Sequence, residues 1–335
     1  MKKLSVIITF LFSISMMEAQ YLWDYGITLG GANYLGDIGG TDEPRKDFVY
    51  DMKLKETRYV FGAYLRRRIS RSLNVKLGAS YGKIGGDDLN TDYAPRRARN
   101  LNFTNTIKEL SLLAEYTLYS DNDFGGKGLY NPNFRVYGMA GIAGFLHEPI
   151  GEYNGNNPAF AGQSTSLREL RTEGQETAYD VQGISVPMGF GFYFTYNRRI
   201  RLGWEMGYRM TFTDYLDDIS GNYATDSELD GDPERIAYAM QTTPELIDEI
   251  WPGNPVMICN YDYDVMYSSD LHCGSSGSIE RNPRGISKNN DGYLFMNITA
   301  GLVIQKKSRS FQAKKKKYSW LKRKTRGKRK SRAKF

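Results

Sequence analysis

Two histidines, two cysteines and a run of carboxylates are the side chains in this 335-residue chain that most suggest chemistry. His147 is followed by Glu148, and an imidazole beside a carboxylate is the beginning of a general-base arrangement of the kind barrel hydrolases place near a rim. A single loop histidine is more often incidental, so no catalytic residue is assigned and no enzymatic activity is expected. Asp226, Glu228, Asp230, Asp232 and Glu234 alternate along a polar segment. Their hard oxygens suit calcium, but the spacing matches no EF-hand loop and reads as a solvated acidic loop. No metal site and no cofactor are expected. Cys259 and Cys273 flank Tyr261, Tyr263 and Tyr267 and are expected to close a small structural disulfide loop. Zinc would find only His272 as a nearby imidazole.

The elements that carry these residues follow from the N-terminus onward. Lys2 and Lys3 precede an apolar run from Leu4 to Met17, with Ala19 as a small residue before Gln20. This is the pattern of a secretory signal peptide over 1–19, too short for a spanning helix. No later stretch reaches the ~20 apolar residues of a membrane helix. Tyr (25), Phe (16), Trp (4) and Gly (35) are abundant while the mean hydropathy is only −0.53. Outer-membrane barrels combine these features, because half of each strand is polar and the outer loops are hydrophilic. An exported chain also suits a disulfide.

Strict alternation marks the strands. From Arg199 to Thr213, the positions Ile200, Leu202, Trp204, Met206, Tyr208, Met210 and Phe212 alternate with Arg201, Gly203, Glu205, Gly207, Arg209 and Thr211. Side chains point alternately to opposite faces of a strand, so one face is apolar and the other charged or small. A run of this length suits a tilted strand crossing a bilayer. Strands are predicted over 22–35, 57–69, 72–84, 106–119, 133–146, 184–196, 199–213 and 292–305. The fifth is the weakest, since Tyr137, Met139 and Phe145 blur its polar face. The fold class expected is all-β, a transmembrane up-and-down antiparallel barrel of eight strands over 20–305. Ten strands would follow if 214–291 hides a hairpin.

The connections alternate in length. Ser70-Arg71 and Asn197-Arg198 are tight, 120–132 is moderate, and 36–56, 85–105, 147–183 and 214–291 are long. Short turns on one side and long loops on the other are the asymmetry of outer-membrane barrels, whose short turns face the periplasm. The long loops are therefore expected outside the cell. An eight-stranded barrel has an interior just filled by side chains. Arg66, Arg68, Lys76, Glu109, Glu115, Arg201, Glu205 and Arg209 are the inward candidates, expected to pair as a plug and not to line a pore.

Residues 306–335 form a separate segment with 16 basic and no acidic residues, leaving 29 basic against 38 acidic elsewhere. An even strand count puts this tail in the periplasm, disordered when free. Its candidate partner-binding residues are Lys314, Lys315, Lys316, Lys317, Lys322, Arg323, Lys324, Lys328, Arg329 and Lys330, with Trp320 as an apolar anchor beside Tyr318 and Leu321. Basic blocks of this kind suggest nucleic acid in a cytosolic protein; export argues against that partner. An acidic protein surface, anionic lipid heads or cell-wall material fit instead.

The start of the mature chain reads Tyr21-Leu22-Trp23-Asp24-Tyr25-Gly26, then Gly30-Gly31 and Asn33-Tyr34-Leu35-Gly36-Asp37-Ile38. This resembles the opening strand of the PorG-like outer-membrane barrels associated with the type IX secretion system. The resemblance implies an outer-membrane address among membrane lipids and contact with a periplasmic ring, made of a lipoprotein and its partner subunit. It carries over no catalytic residue. The function expected is a non-enzymatic anchor or organiser of a periplasmic secretion assembly. The alternative is an OmpA-like adhesin or surface-binding barrel that acts through its large loops.

Overall fold

The computed structural model describes residues 23–42, 48–122, 132–197, 199–250 and 284–304. The segment 1–19 expected to be a signal peptide, the expected disulfide partners Cys259 and Cys273, His272 and the basic segment 306–335 lie outside the described residues. The described residues form ten strands: β1 (Trp23–Leu35), β2 (Arg58–Arg68), β3 (Leu73–Asp87), β4 (Asn102–Asn122), β5 (Pro132–Leu146), β6 (Pro149–Glu152), β7 (Ser164–Ser166), β8 (Gln182–Tyr196), β9 (Ile200–Thr211) and β10 (Gly292–Ile304). Eight of them close on themselves, each antiparallel to its neighbours, in the order β1-β2-β3-β4-β5-β8-β9-β10 and back to β1. The seam runs from Trp23 opposite Ile304 to Leu35 opposite Gly292. β6 and β7 form a small hairpin that extends β4 beyond the barrel. The extra hairpin thus falls in 147–183, and the barrel itself has eight strands.

Alternation sets the two faces. Ile27, Leu29, Leu110, Ile142, Ile184 and Ile298 point outward and are each more than 60% exposed. So broad an apolar exposure is foreign to a water-facing surface and forms the belt that meets hydrocarbon in a transmembrane barrel. Aromatics rim the belt: Tyr25, Tyr116, Phe194 and Tyr196 toward the short turns, and Tyr59, Phe61 and Phe212 toward the long loops. Arg67 lies over the Trp23 ring at the short-turn rim, 5.2 Å from its centroid. Among the described residues no helix is long and apolar enough to cross a membrane.

Pro187 sits in the middle of β8 with its side chain buried inside. Lacking an N–H, it coincides with a gap in the β5–β8 ladder between Ala140–Met188 and Ala143–Ser185. At the tight turn, Ile69 N–H and Ser70 N–H both donate to Leu73 O, and Ser70 Oγ accepts from Leu73 N–H. Arg68, the inward candidate nearest this turn, is half-buried and donates to Ser70 O at 3.1 Å.

The long loops fold into a cap. β3 and β4 extend past the membrane belt to Asp87 and Asn102, which shortens the connection expected over 85–105. That connection carries the helix α1 (Ala94–Arg99), with proline in its first turn and Asn100 left-handed at its C-cap. Further helices are α2 (Leu167–Leu170), α3 (Pro233–Ala239) and α4 (Pro244–Ile250). Tyr34, Ile38, Phe103, Leu167, Leu216, Ile219, Tyr238 and Tyr293 form one buried cluster across these loops and the strand tops. The segment 214–250 therefore carries part of an apolar core, while Asp226, Asp230 and Asp232 stay exposed on it as expected of a solvated acidic stretch. Its carboxylates serve local geometry: Asp232 caps α3 by accepting from Glu234 N–H, Glu228 accepts from Thr225 N–H, and Asp230 pairs with Arg235.

The belt makes a direct prediction. Leu112, on the outer face of β4, replaced by Arg should destabilise the refolded barrel in lipid vesicles by about 2–4 kcal/mol. Urea titration of folded against unfolded gel mobility measures it; an unchanged midpoint would mean that this face does not contact hydrocarbon.

Candidate functional site: an ion-filled lumen beneath a latched cap

Inside the barrel, alternation sends charged side chains from six strands toward one axis, and burial there requires them to satisfy one another. Arg66 on β2 is the hub. Its Nε meets both carboxylate oxygens of Glu115 at 2.8 and 2.9 Å, its Nη1 reaches Asp24 at 3.3 Å and its Nη2 reaches Glu205 at 3.1 Å. Lys76 pairs with the second oxygen of Glu205, and Arg201 Nη1 pairs with Asp24 at 2.7 Å. Three cations thus face three carboxylates. The rings of Tyr64, Tyr137 and Tyr193 surround the Arg66 guanidinium at 5.0–5.5 Å, and Tyr137 Oη donates to Glu205 at 2.5 Å. Nearer the cap, Arg209 pairs with Glu109 at 3.2 Å and lies over the Phe295 ring, while Tyr293 Oη donates to Glu109.

Of the inward candidates, the structure brings together Arg66, Lys76, Glu109, Glu115, Arg201, Glu205 and Arg209, all of them buried. The aromatics that blurred the polar face of the fifth strand turn out to fill the lumen: Tyr137, Met139 and Phe145 all point inward and are buried. The void lined by Tyr64, Lys76, Glu205 and Asn297 measures only about 20 Å³, the space of a single water. The described lumen is a packed plug.

Above it, two arginines latch the long loops. Arg99 grips Asp88 with Nε and Nη2 at 2.7 and 2.8 Å and donates to the backbone oxygens of Asp37 and Arg284. Arg284 donates to Thr172 Oγ1 and Asp218 O, both at 2.8 Å, and approaches Glu173 at 3.4 Å. Glu173 in turn accepts from Ser220 and Gly221 N–H, and Asp217 accepts from Ile38 and Ile219 N–H. All four long loops meet in this cluster. Gly39 and Gly40, both at positive φ, carry the first loop past Glu56 and Asp51, where a Cβ would collide. Neither Arg99 nor Arg284 stood out in the sequence, because the cluster joins positions that follow no strand or helix period.

Burial here disfavours charge. It pushes the Asp217 carboxyl up to about 7, with Asp37 nearby adding to the effect, and Asp218 up to about 6 against the pull of Arg284. Glu56 is raised by burial to about 7. His147 is driven the other way, down to about 4, by burial beneath the stacked Tyr179 ring. Glu148 turns outward to accept from Ser166 Oγ, so the two residues first considered for general-base chemistry do not form a pair.

Both pieces of the opening-strand motif have structural tasks. Asp24 belongs to the lumen network. Tyr34 Oη donates to Asp291 and accepts from Asp37 N–H, and Gly36 leaves room for that ring.

Comparison with known proteins adds a family. The model for the family described as Domain of unknown function (DUF6089) matches residues 2–230. No curated protein matches the chain. Among solved structures, the N-terminal β-barrel domain of Pseudomonas aeruginosa OprF aligns over 86% of this chain and 100% of its own, at 11% identity and a TM-score of 0.29. OprG from the same organism aligns over 86% and 99%, at 10% identity and 0.35. Ail, the attachment invasion locus protein of Yersinia pestis, aligns over 86% and 99%, at 8% identity and 0.32. At these scores the fold assignment rests on this chain's own ladders.

Two outcomes follow from the site. Arg66→Met strands Asp24, Glu115 and Glu205 without their shared cation and should destabilise the barrel by about 3–5 kcal/mol, read from urea unfolding in vesicles; a loss below about 1 kcal/mol would show that the hub is dispensable. In the cap, the raised carboxyls bind more protons folded than unfolded, so their contribution is present at low pH and lost as pH rises toward about 7. His147 opposes this only below its ordinary value of about 6.5. Lowering pH from about 8 to about 6.5 should therefore increase hydrogen-exchange protection of 214–221, corrected for intrinsic rates, and Asp217→Asn should flatten the dependence. Protection that falls over this range would contradict the sign.

Proposed function

The chain belongs to the DUF6089 family, and we propose that it is a non-enzymatic outer-membrane barrel that anchors or organises a periplasmic secretion assembly of the type IX kind. The filled lumen carries this reading: a barrel without a conduit serves by its position. β10 runs away from the cap and ends at Ile304, opposite Trp23, on the short-turn side. The segment that follows it in sequence is the basic tail, and short turns of outer-membrane barrels face the periplasm. Lys314 to Lys317, Lys322-Arg323-Lys324 and Lys328-Arg329-Lys330 then offer charge to an acidic partner surface, with Trp320 as a hydrophobic anchor. The likeness of Trp23-Asp24-x-Gly26 and Tyr34-x-Gly36-Asp37 to the PorG-like barrels supports a ring lipoprotein and its partner subunit as that surface.

The latched cap favours a second reading, a surface-binding barrel of the adhesin kind. Its loops are held by Arg99 and Arg284 in one arrangement, and a pre-ordered surface binds with little further loss of entropy.

One experiment separates the two. Deleting 306–335 from the full chain in cells should cut crosslinking and pull-down of the ring components while leaving barrel insertion intact. Retained binding should weaken near 1 M salt, where screening acts within about 3 Å. Unchanged pull-down after deletion, with surface binding lost on trimming residues 222–250, would replace the anchor by the adhesin.

A further inference from the structure

The outer face of β3, β4 and β5 departs from a plain apolar belt in two adjacent places. The first is a groove. Ala79, Leu110, Gly144 and Ile184 stand opposite one another across four consecutive strands. Between Leu110 and Ile184 the surface drops, because Gly144 has no side chain and a Cβ there would meet nothing within 4 Å. The hollow, walled by Leu110, Leu146 and Ile184, holds about 670 Å³ and opens outward.

The second is a pair of cations. One same-face step toward the cap, the row reads Tyr81, Lys108, Leu146 and Gln182. Lys108 is exposed beside the groove, and Lys83 lies opposite Thr106, diagonal to Lys108 on the same face. Diagonal neighbours on a sheet are roughly 7–8 Å apart, a gap two lysine side chains can close around one phosphate. Neither ammonium forms an ion pair among the described residues, in contrast to the lumen cations. Of the carboxylates nearby, Glu148 is held by Ser166 Oγ, Glu109 faces the lumen, and Asp87 feels Lys55 and Arg58.

Unpaired cations at the edge of a hydrocarbon belt, over an apolar hollow, are complementary to one molecule type. We propose that this face binds a phosphorylated membrane lipid from the leaflet on the cap side. An acyl chain lies in the groove over Gly144, and the phosphate sits between Lys83 and Lys108. One same-face step along a strand is about 7 Å, so a lysine reaches from its row to a headgroup above the groove. The site lies outside the barrel, apart from lumen and latch, and does not depend on the proposed anchoring role.

The test uses the full chain in phosphatidylcholine nanodiscs containing phosphatidylglycerol as the phosphorylated probe, with retained lipid counted by native mass spectrometry. Wild type should retain phosphatidylglycerol over phosphatidylcholine on the order of tenfold, from two lysines near an anionic headgroup. K83Q/K108Q should lower the ratio on the order of tenfold, whatever the basic tail adds equally to wild type and variant, and Gly144→Leu, which fills the groove, should lower it as well. K55Q should leave it unchanged. Heat-modifiable gel mobility confirms that each variant is folded, since all four positions lie on the outside. Absence of a preference in wild type, or a preference that the double substitution or the filled groove leaves unchanged, overturns the proposal.

Discussion

Inside a hydrocarbon layer a backbone N–H or C=O has no water to turn to, and the β1–β10 seam is where this chain meets that demand. Each of the eight strands hydrogen-bonds on both sides, so no edge is left open. Closure then dictates the side chains. With one face in lipid, every second residue must be apolar, and the residues between them are forced into a narrow interior. A polar interior this small cannot stay wet, so its charges must satisfy one another. Arg66, whose guanidinium engages carboxylates from β1, β4 and β9, is the direct result of that constraint.

The two polar clusters solve different problems. In the lumen, Arg66, Lys76, Arg201 and Arg209 each meet a carboxylate directly, and tyrosine rings and hydroxyls add to the coordination. Such buried pairs add little net stability over an apolar filling, but they penalise any other register, since a one-residue slip would turn the charges into lipid. The cap has a surplus of buried carboxyls around Arg99 and Arg284, relieved by backbone N–H donors and by protonation. The first cluster specifies the barrel, while the second holds loops that the barrel alone would leave loose.

Legibility in the sequence followed periodicity. Ile200 to Phe212 and Leu294 to Ile304 announce their faces because period-two alternation is a local signal, and the eight strands sit within a few residues of where it puts them. Strand ends were harder. Gly85-Gly86-Asp87 and Asn102 to Asn105 read as loop yet continue the β3–β4 ladder above the membrane, where apolar alternation is no longer required. Tyr137 and Phe145 weakened the fifth strand on paper because a packed lumen accepts aromatics as readily as charges. The latch was illegible: Arg99, Asp217 and Arg284 belong to a cluster drawn from four loops with no shared period.

The lumen network also bears on how the barrel is made. Asp24 and Glu205 come from strands on either side of the seam, so Arg66 lacks part of its complement until first and last strands join. A half-closed sheet in the bilayer would expose both open edges and unpaired charges at once. Closing the ladder between Trp23 and Ile304, near the two ends of the barrel sequence, is thus also what completes the ion network.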